Sequence, residues 1–439
     1  MSVDQEGRTP KAAPNEWWVG LIAGMASYID AAALIATGIA LTIYQLTIGI
    51  TPGQLGVMSG ALTLCVALGA LVGGRLGDRL GRRQVFIATM VLIVLGSVLT
   101  TFGTTFAVLL PGVVLVGLGV GADLPVSLAS IAEAASDKNR GKLILLSNLL
   151  WLVGIIASIT IASFTGDLGR LGGQLLFGQV GVVALLVLLG RLTIPESPVW
   201  LEADRERAAG EAQLAGKARV RDLLRAPYLA PFAVLLVFYT LTNLGANTSG
   251  SFNTFIATNF AGATVEGFNR WALIAMLISI VPGLVFMKFV DSGKRMLFFA
   301  VGALLATASY AFVAIVGVSL TTLVVALLAA AVGHAFAFEG IMKVWTQESF
   351  PTMLRSTAQG TILAVARVTA ALLAAVTPAL LEASVRGMYF GLTVVAGVGF
   401  LVAALYFRRS GRNEFAADPA RPADAASRPR VAPANGGAR

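Results

Sequence analysis

Between Trp17 and Phe407 the chain repeats one pattern: an apolar run, a short polar break, then another apolar run. Each run is roughly 20 residues or longer, enough to cross the ~30 Å hydrocarbon core of a bilayer as an α-helix. In lipid every backbone N–H and C=O must be satisfied internally, so only helices and closed barrels can span. A barrel would show ~10-residue segments of alternating polarity, and this sequence has none. Only 13% of the residues are charged and 56% are hydrophobic, whereas a soluble domain carries about a quarter charged residues. The sequence therefore predicts an all-α integral membrane protein.

Twelve spans can be placed, at about 17–45, 55–74, 85–103, 106–135, 143–164, 173–192, 228–258, 269–290, 296–317, 320–345, 356–380 and 385–407. The first sixteen residues are polar, and the first apolar run is too long for a signal-peptide core. The lone Cys65 lies in an apolar run and has no partner for an intramolecular disulfide. The net charge of +9 is explained by topology. If the N-terminus is cytoplasmic, Arg170, Arg270 and Arg386 fall in external loops. Arg75, Arg79, Arg82, Arg83, Lys138, Arg140, Lys142, the 191–225 loop, Lys294, Arg295 and the tail all fall inside. That asymmetry predicts a multi-pass protein of the cell membrane with both termini cytoplasmic. Because the basic residues are spread over many short loops, they do not form a nucleic-acid surface.

The one long connection, "EADRERAAGEAQLAGKARVRDLL", is charged and helix-prone and divides the spans six and six. The expected organisation is a cytoplasmic segment (1–16), a first six-helix bundle (17–192), a linker (193–227), a second bundle (228–407) and a disordered tail (408–439). An internal repeat supports this division. "EAASDKNRG" and "ESFPTMLRS" share a Glu and, seven residues on, an Arg: Glu348 lies 215 residues after Glu133, and Arg355 lies 215 after Arg140. Asp291 lies 213 residues after Asp78. Parallel halves of this kind are a transporter architecture.

These motifs carry a family resemblance. "GGRLGDRLGRRQ" after span 2 resembles the signature loop of the major facilitator superfamily. The Glu-to-Arg motifs after spans 4 and 10, and "PESPVWL" after span 6, look like those of its sugar-porter branch. "ASYIDAAALIATG" in span 1 and "QESFPTMLRSTAQG" after span 10 look most like bacterial inositol and related metabolite:proton symporters. The resemblance covers residues 17–407 and implies two pseudo-symmetric six-helix bundles that alternate access to a central cavity. It also implies a cytoplasmic gate of Gly74, Asp78, Arg79, Gly81, Arg82, Arg83, Glu133, Arg140, Asp291, Glu348 and Arg355, one latch holding both halves together in the outward-facing state. Read from residues alone, Asp78 can face a helix N-terminus, the arginines can pair with acids or lipid phosphates, and the loop can equally be a topology-setting basic turn.

Asp30, Asp123 and Arg367 lie well inside spans 1, 4 and 11. Asp30 lies midway through span 1, where a charged side chain costs about 2.5–3.5 kcal/mol. It can take up a proton, hold a structural hydrogen bond or touch substrate, and its place matches the coupling aspartate of sugar:proton symporters. The arginine that partners it in those relatives is replaced by Val113. Asp123 precedes Pro125 in span 4 and reads equally as a second proton site or as the repair of a proline kink. Arg367 lies at the middle of span 11; it can pair with an acid, Asp30 among them, or bind substrate.

Span 7, "YTLTNLGANTSGSFNTF", offers Tyr239, Asn243, Asn247 and Asn253 as neutral donors and acceptors suited to a hydroxyl-rich solute, or to helix–helix hydrogen bonds. Its Gly245 and Gly250 suggest a helix that breaks during gating. In span 10, Glu339 and Lys343 share a face as an i,i+4 pair. His334, the only histidine, lies about 140° around an ideal helix from Glu339, on the Phe338/Trp345 side and apart from that pair. Lys343 stands where sugar porters hold a stacking tryptophan, or snorkels to the interface.

The reading is a secondary transporter taking up a small polyhydroxylated metabolite (a polyol such as inositol, a sugar or a sugar acid) with a proton. It is expected to work as a monomer with no cofactor or metal. Proton-driven efflux is the alternative, and a transporter-like sensor a more remote one. No nucleotide-binding loop, metal cluster or nucleophile–base pair marks an enzyme.

Overall fold

The computed structural model describes residues 15–136, 139–208, 220–289 and 292–408. Among these the chain is all helical, in fifteen segments: α1 (Glu16–Ile48), α2 (Pro52–Leu80), α3 (Arg82–Phe102), α4 (Phe106–Ala134), α5 (Arg140–Thr165), α6 (Arg170–Leu192), α7 (Pro198–Ala208), α8 (Val220–Leu223), α9 (Leu229–Phe260), α10 (Val265–Phe289), α11 (Arg295–Val316), α12 (Leu320–Ala337), α13 (Glu339–Ser349), α14 (Thr352–Ala383) and α15 (Val385–Phe407). Twelve spans, with α12 and α13 together forming the tenth, are long and apolar enough to cross a membrane. They match the twelve apolar runs. The linker contributes α7 and α8, as its helix-prone composition predicts; the expected disordered tail and the N-terminal segment lie outside the described residues, apart from Asn15, Glu16 and Arg408.

Local signals set the boundaries. Thr51 caps α2 in a reciprocal capping box with Gln54, and Pro52 occupies the first turn, where its missing N–H costs nothing. Ser319 and Thr322 repeat that box at α12. α1 stops at Gly49, in the left-handed conformation that glycine tolerates.

α1 to α6 pack on one another as one six-helix bundle, and α9 to α15 as another. The second is centred on aromatic side chains: Phe238, Phe299, Phe400 and Trp345 meet at 4.9–6.1 Å, and Trp345 lies flat on Phe407 at 4.1 Å. The halves join through α1 on α9, α2 on α14 and α5 on α10. Along each of these six helices the closest contacts lie toward the end far from the chain termini. There Gly38 lets α1 press on α9, since a Cβ on it would stand 2.5 Å from the Ser251 carbonyl oxygen. Gln45 and Asn259 exchange amide hydrogen bonds of 2.9 and 3.1 Å, and Arg270 Nε donates to the Ser163 carbonyl at 3.1 Å. The molecule is thus drawn together at the end opposite the termini.

Span 7, expected to break during gating, is continuous in this conformation. α9 runs unbroken through Gly245 and Gly250 for 32 residues. An interruption is found in span 10, at Phe338 (φ −117°, ψ −123°), between α12 and α13. Glycine permits a break but does not impose one, and α9 is held straight by α1, α14 and α15 packed around it.

Candidate functional site

Midway along the spans, between the bundles, four charged side chains converge. Asp30 on α1 is 2% exposed. Arg367 on α14 reaches it from the other half, Nη2 to Oδ2, at 3.7 Å. The two intramembrane charges of spans 1 and 11 therefore form a pair, as one of the sequence readings held. On α13, Lys343 Nζ closes on Glu339 Oε1 at 2.7 Å, the expected i,i+4 bridge, with both side chains partly exposed. Tyr239 on α9 donates to Glu339 Oε2 at 3.4 Å. Glu339 and Trp151 of α5 also stand near the Asp30 carboxylate.

The break at Phe338 reorganises the tenth span. A continuous helix would hold His334 away from Glu339. The Phe338 ring lies 5.1 Å from the His334 ring, one turn away on the same face, and stacks on Tyr239 at 5.4 Å. A continuous line runs His334, Phe338, Tyr239, Glu339, Lys343. His334 packs on Phe338, the side expected from the sequence, and reaches the ion pair only through the Phe338 and Tyr239 rings. Trp345 is removed from that face altogether; it is 2% exposed, in the core of the second bundle. Asn243 stands beside Tyr239. Asn247 and Asn253, further along α9, are partly buried.

Asp123 does not join this cluster. Its carboxylate pairs with Arg191 of α6, Nη1 to Oδ1 and Nη2 to Oδ2 at 2.7 Å, and accepts from Thr89 (2.9 Å) and Ser127 (3.3 Å). Arg191 is 1% exposed, with its guanidinium 4.2 Å above the Phe86 ring. This is a closed polar knot inside the first bundle, tying α3, α4 and α6. All the described partners of the carboxylate are side chains, Arg191 and Thr89 on neighbouring helices and Ser127 on α4 itself. Arg191 escaped the sequence reading because it was counted with the basic loop that follows it.

At the termini end, the residues expected to latch the outward-facing state make the following described pairs. In the first half Arg82 bridges Asp78 (2.7 Å) and Glu133 (3.0 Å). Glu196 of "PESPVWL" accepts from the backbone N–H of Arg82 (2.9 Å) and Arg83 (3.1 Å). Glu196, rather than Asp78, thus faces the N-terminus of α3 and its dipole. Gly81 makes the turn between α2 and α3 at φ +101°, a conformation other residues rarely adopt. Arg79 is exposed, and Gly74 lies one residue past the close α2–α4 contact at Gly73. In the second half Arg295 pairs with Glu348 at 2.7 Å, and Arg355 Nε donates to the Phe350 carbonyl at 2.8 Å. These described pairs close within one half, not across the two, because the halves meet at the other end. Asp291 and the side chain of Arg140 lie outside the described residues.

Charged groups of both halves thus meet midway along the spans, beside the Tyr239 and Phe338 rings. The family model for the Major Facilitator Superfamily matches residues 17–362. The chain belongs to this superfamily. It is accordingly a multi-pass membrane transporter and not an enzyme. The minor myo-inositol transporter IolF of Bacillus subtilis (strain 168) is 29% identical over 79% of this chain and 80% of its own length. The inner membrane metabolite transport protein YgcS of Escherichia coli (strain K12) is 29% identical over 83% and 85%. Among solved structures, the inward-open xylose transporter XylE from E. coli superposes with a TM-score of 0.71 over 91% of this chain and 97% of that one, at 18% identity. That likeness speaks for the shared fold.

Proposed function

We propose that this protein takes up a small polyhydroxylated metabolite together with a proton, by alternating access between 17–192 and 228–407 as two rigid halves joined by the 193–227 linker. The observation that carries the reading is the pairing of a 2%-exposed Asp30 with Arg367 across the bundle interface. A carboxylate isolated at this depth is unfavourable when charged. It is stable either paired or protonated, which makes it a switch between two states. The names of the relatives, transporters of myo-inositol and of an unspecified metabolite, fit a hydroxylated solute. So do the neutral hydrogen-bonding groups of Tyr239, Asn243, Asn247 and Asn253 along α9. His334, Glu339 and Lys343 complete the proposed binding surface.

The distribution of basic loops supports termini on the cytoplasmic side. On that orientation the closed end is external and the structure is inward-facing, with each cytoplasmic cluster folded onto its own half. The outward-facing state then requires Asp78, Arg82, Glu133, Glu348, Arg355 and their neighbours to exchange partners across the halves. A monomer in the cell membrane is sufficient for this cycle.

The test is uptake of labelled polyols, sugars and sugar acids into proteoliposomes, with and without an imposed pH gradient. Accumulation that needs the gradient supports the reading; extrusion driven by it would identify efflux instead, and no movement of any solute would defeat it.

A further inference from the structure

Arg367 brings a guanidinium to mid-span and uses little of it. Its contact with Asp30 Oδ2, at 3.7 Å, is too long for a hydrogen bond, and no hydrogen bond from its five donors closes among the described residues. Its side chain is 29% exposed, while that of Asp30 is 3% exposed. On the other side of the pair, Asp30 Oδ1 is buried with no hydrogen-bond partner. A relaxed arginine–carboxylate pair closes with two parallel bonds. This one is held ajar, with an acceptor left over on the buried side and donors left over on the open side.

The charges around it balance. Asp30 faces Arg367 from α14, Glu339 from α13 and the neutral Trp151 from α5. Glu339 is in turn held by Lys343 and by the Tyr239 hydroxyl, with His334 behind the Phe338 ring. Two carboxylates and two cations sum to zero. One proton on Asp30 leaves one positive charge unbalanced, on Arg367, at a depth where uncompensated charge is costly. A neutral solute would leave it so, whereas a monoanion cancels it.

We propose that Arg367 anchors a carboxylate, and that the substrate is a monocarboxylic polyhydroxy acid carried electroneutrally with one proton on Asp30, an assignment that rests on the proton-coupled uptake proposed above. The planar guanidinium matches a carboxylate in bidentate fashion. A phosphate monoester brings about 1.5 to 2 negative charges, more than one proton balances. The proton moves from the aqueous side to the Asp30 carboxylate, Arg367 turns its donors to the substrate carboxylate, and deprotonation on the other side recaptures Arg367 and expels the anion. Tyr239, Asn243 and Asn247 meet the hydroxyls.

The experiment reconstitutes the full-length protein and follows labelled D-gluconate and myo-inositol under an imposed pH gradient, with the potassium diffusion potential set separately. The expected result is gradient-driven gluconate accumulation whose initial rate does not change with an inside-negative potential. Arg367→Gln should weaken gluconate binding about 10- to 100-fold, read as a lost thermal shift in detergent, where no transport is needed; Arg367→Lys, which keeps the charge, should lose less. Elution as a single monodisperse species verifies that each variant is folded. Asp30→Asn, which imitates the protonated acid, should bind gluconate with no dependence on pH. Accumulation of myo-inositol but not gluconate would overturn the acid assignment while leaving the transport reading intact. Gluconate uptake accelerated by an inside-negative potential, or wild-type gluconate binding by folded Arg367→Gln, would overturn it too. If neither solute moves through or stabilises the folded protein, the acid assignment falls, and the transport reading falls with it only if the other polyols, sugars and sugar acids also fail to move.

Discussion

Asp30 and Asp123 are both carboxylates near the middle of long helices, both almost fully buried, and the structure gives them opposite characters. Asp123 is saturated by Arg191, Thr89 and Ser127, whereas Asp30 has one loose partner and an orphan oxygen. A saturated buried pair is a fixture: removing one member strands the other charge, at a cost of about 3–5 kcal/mol. Arg191→Met should therefore lower the melting temperature in detergent sharply, and adding Asp123→Leu should recover most of the loss. If the single and the double variant melt alike, the knot is not what holds α3, α4 and α6. Asp30 is instead a group that can change state. Asp30→Asn should abolish accumulation driven by a pH gradient while preserving solute exchange across the membrane with no gradient; retained accumulation would remove Asp30 from the coupling step.

Helices that cross closely define the closed end. Gly38 lies against the Ser251 carbonyl, and a branched side chain there has no room to turn aside. Overpacking of this kind costs about 1–3 kcal/mol, a population shift of about 5- to 150-fold away from the closed end. Gly38→Val should cut transport by that order without unfolding the protein, because each bundle retains its own core. Unchanged transport would mean that this crossing opens by another route. The twelve spans themselves were legible because hydrophobic length is a property of one segment, and the Asp30–Arg367 pair was legible as an option because buried charges must find partners. The Phe338 break was not. No proline or glycine occupies that position, and the Phe338 ring at the break packs on Tyr239 of α9, a partner from another span that the segment's own sequence does not reveal. Arg191 was hidden for a similar reason: at the end of α6 it reads as one more basic loop residue, until α3 and α4 supply Phe86 and Asp123 on either side.

On the scale of the whole molecule the two ends differ in what joins them. Gln45–Asn259 and Arg270–Ser163 tie the halves together at the end far from the termini, while Arg82–Glu133 and Arg295–Glu348 close separately within each half at the other. If the termini are cytoplasmic, the tied end faces outward and must part in each cycle. A Gln45→Cys/Asn259→Cys variant tests both statements at once, since the only native cysteine, Cys65, is buried. A short, membrane-impermeant, reducible bifunctional thiol reagent added to intact cells should bridge the pair and stop transport, with recovery on reduction. Arg408→Cys, at the exposed end of α15, should react with an impermeant thiol reagent only after the cells are opened. Labelling of Arg408→Cys from outside would invert the topology, and bridging that leaves transport intact would show that these two helix ends stay together throughout the cycle.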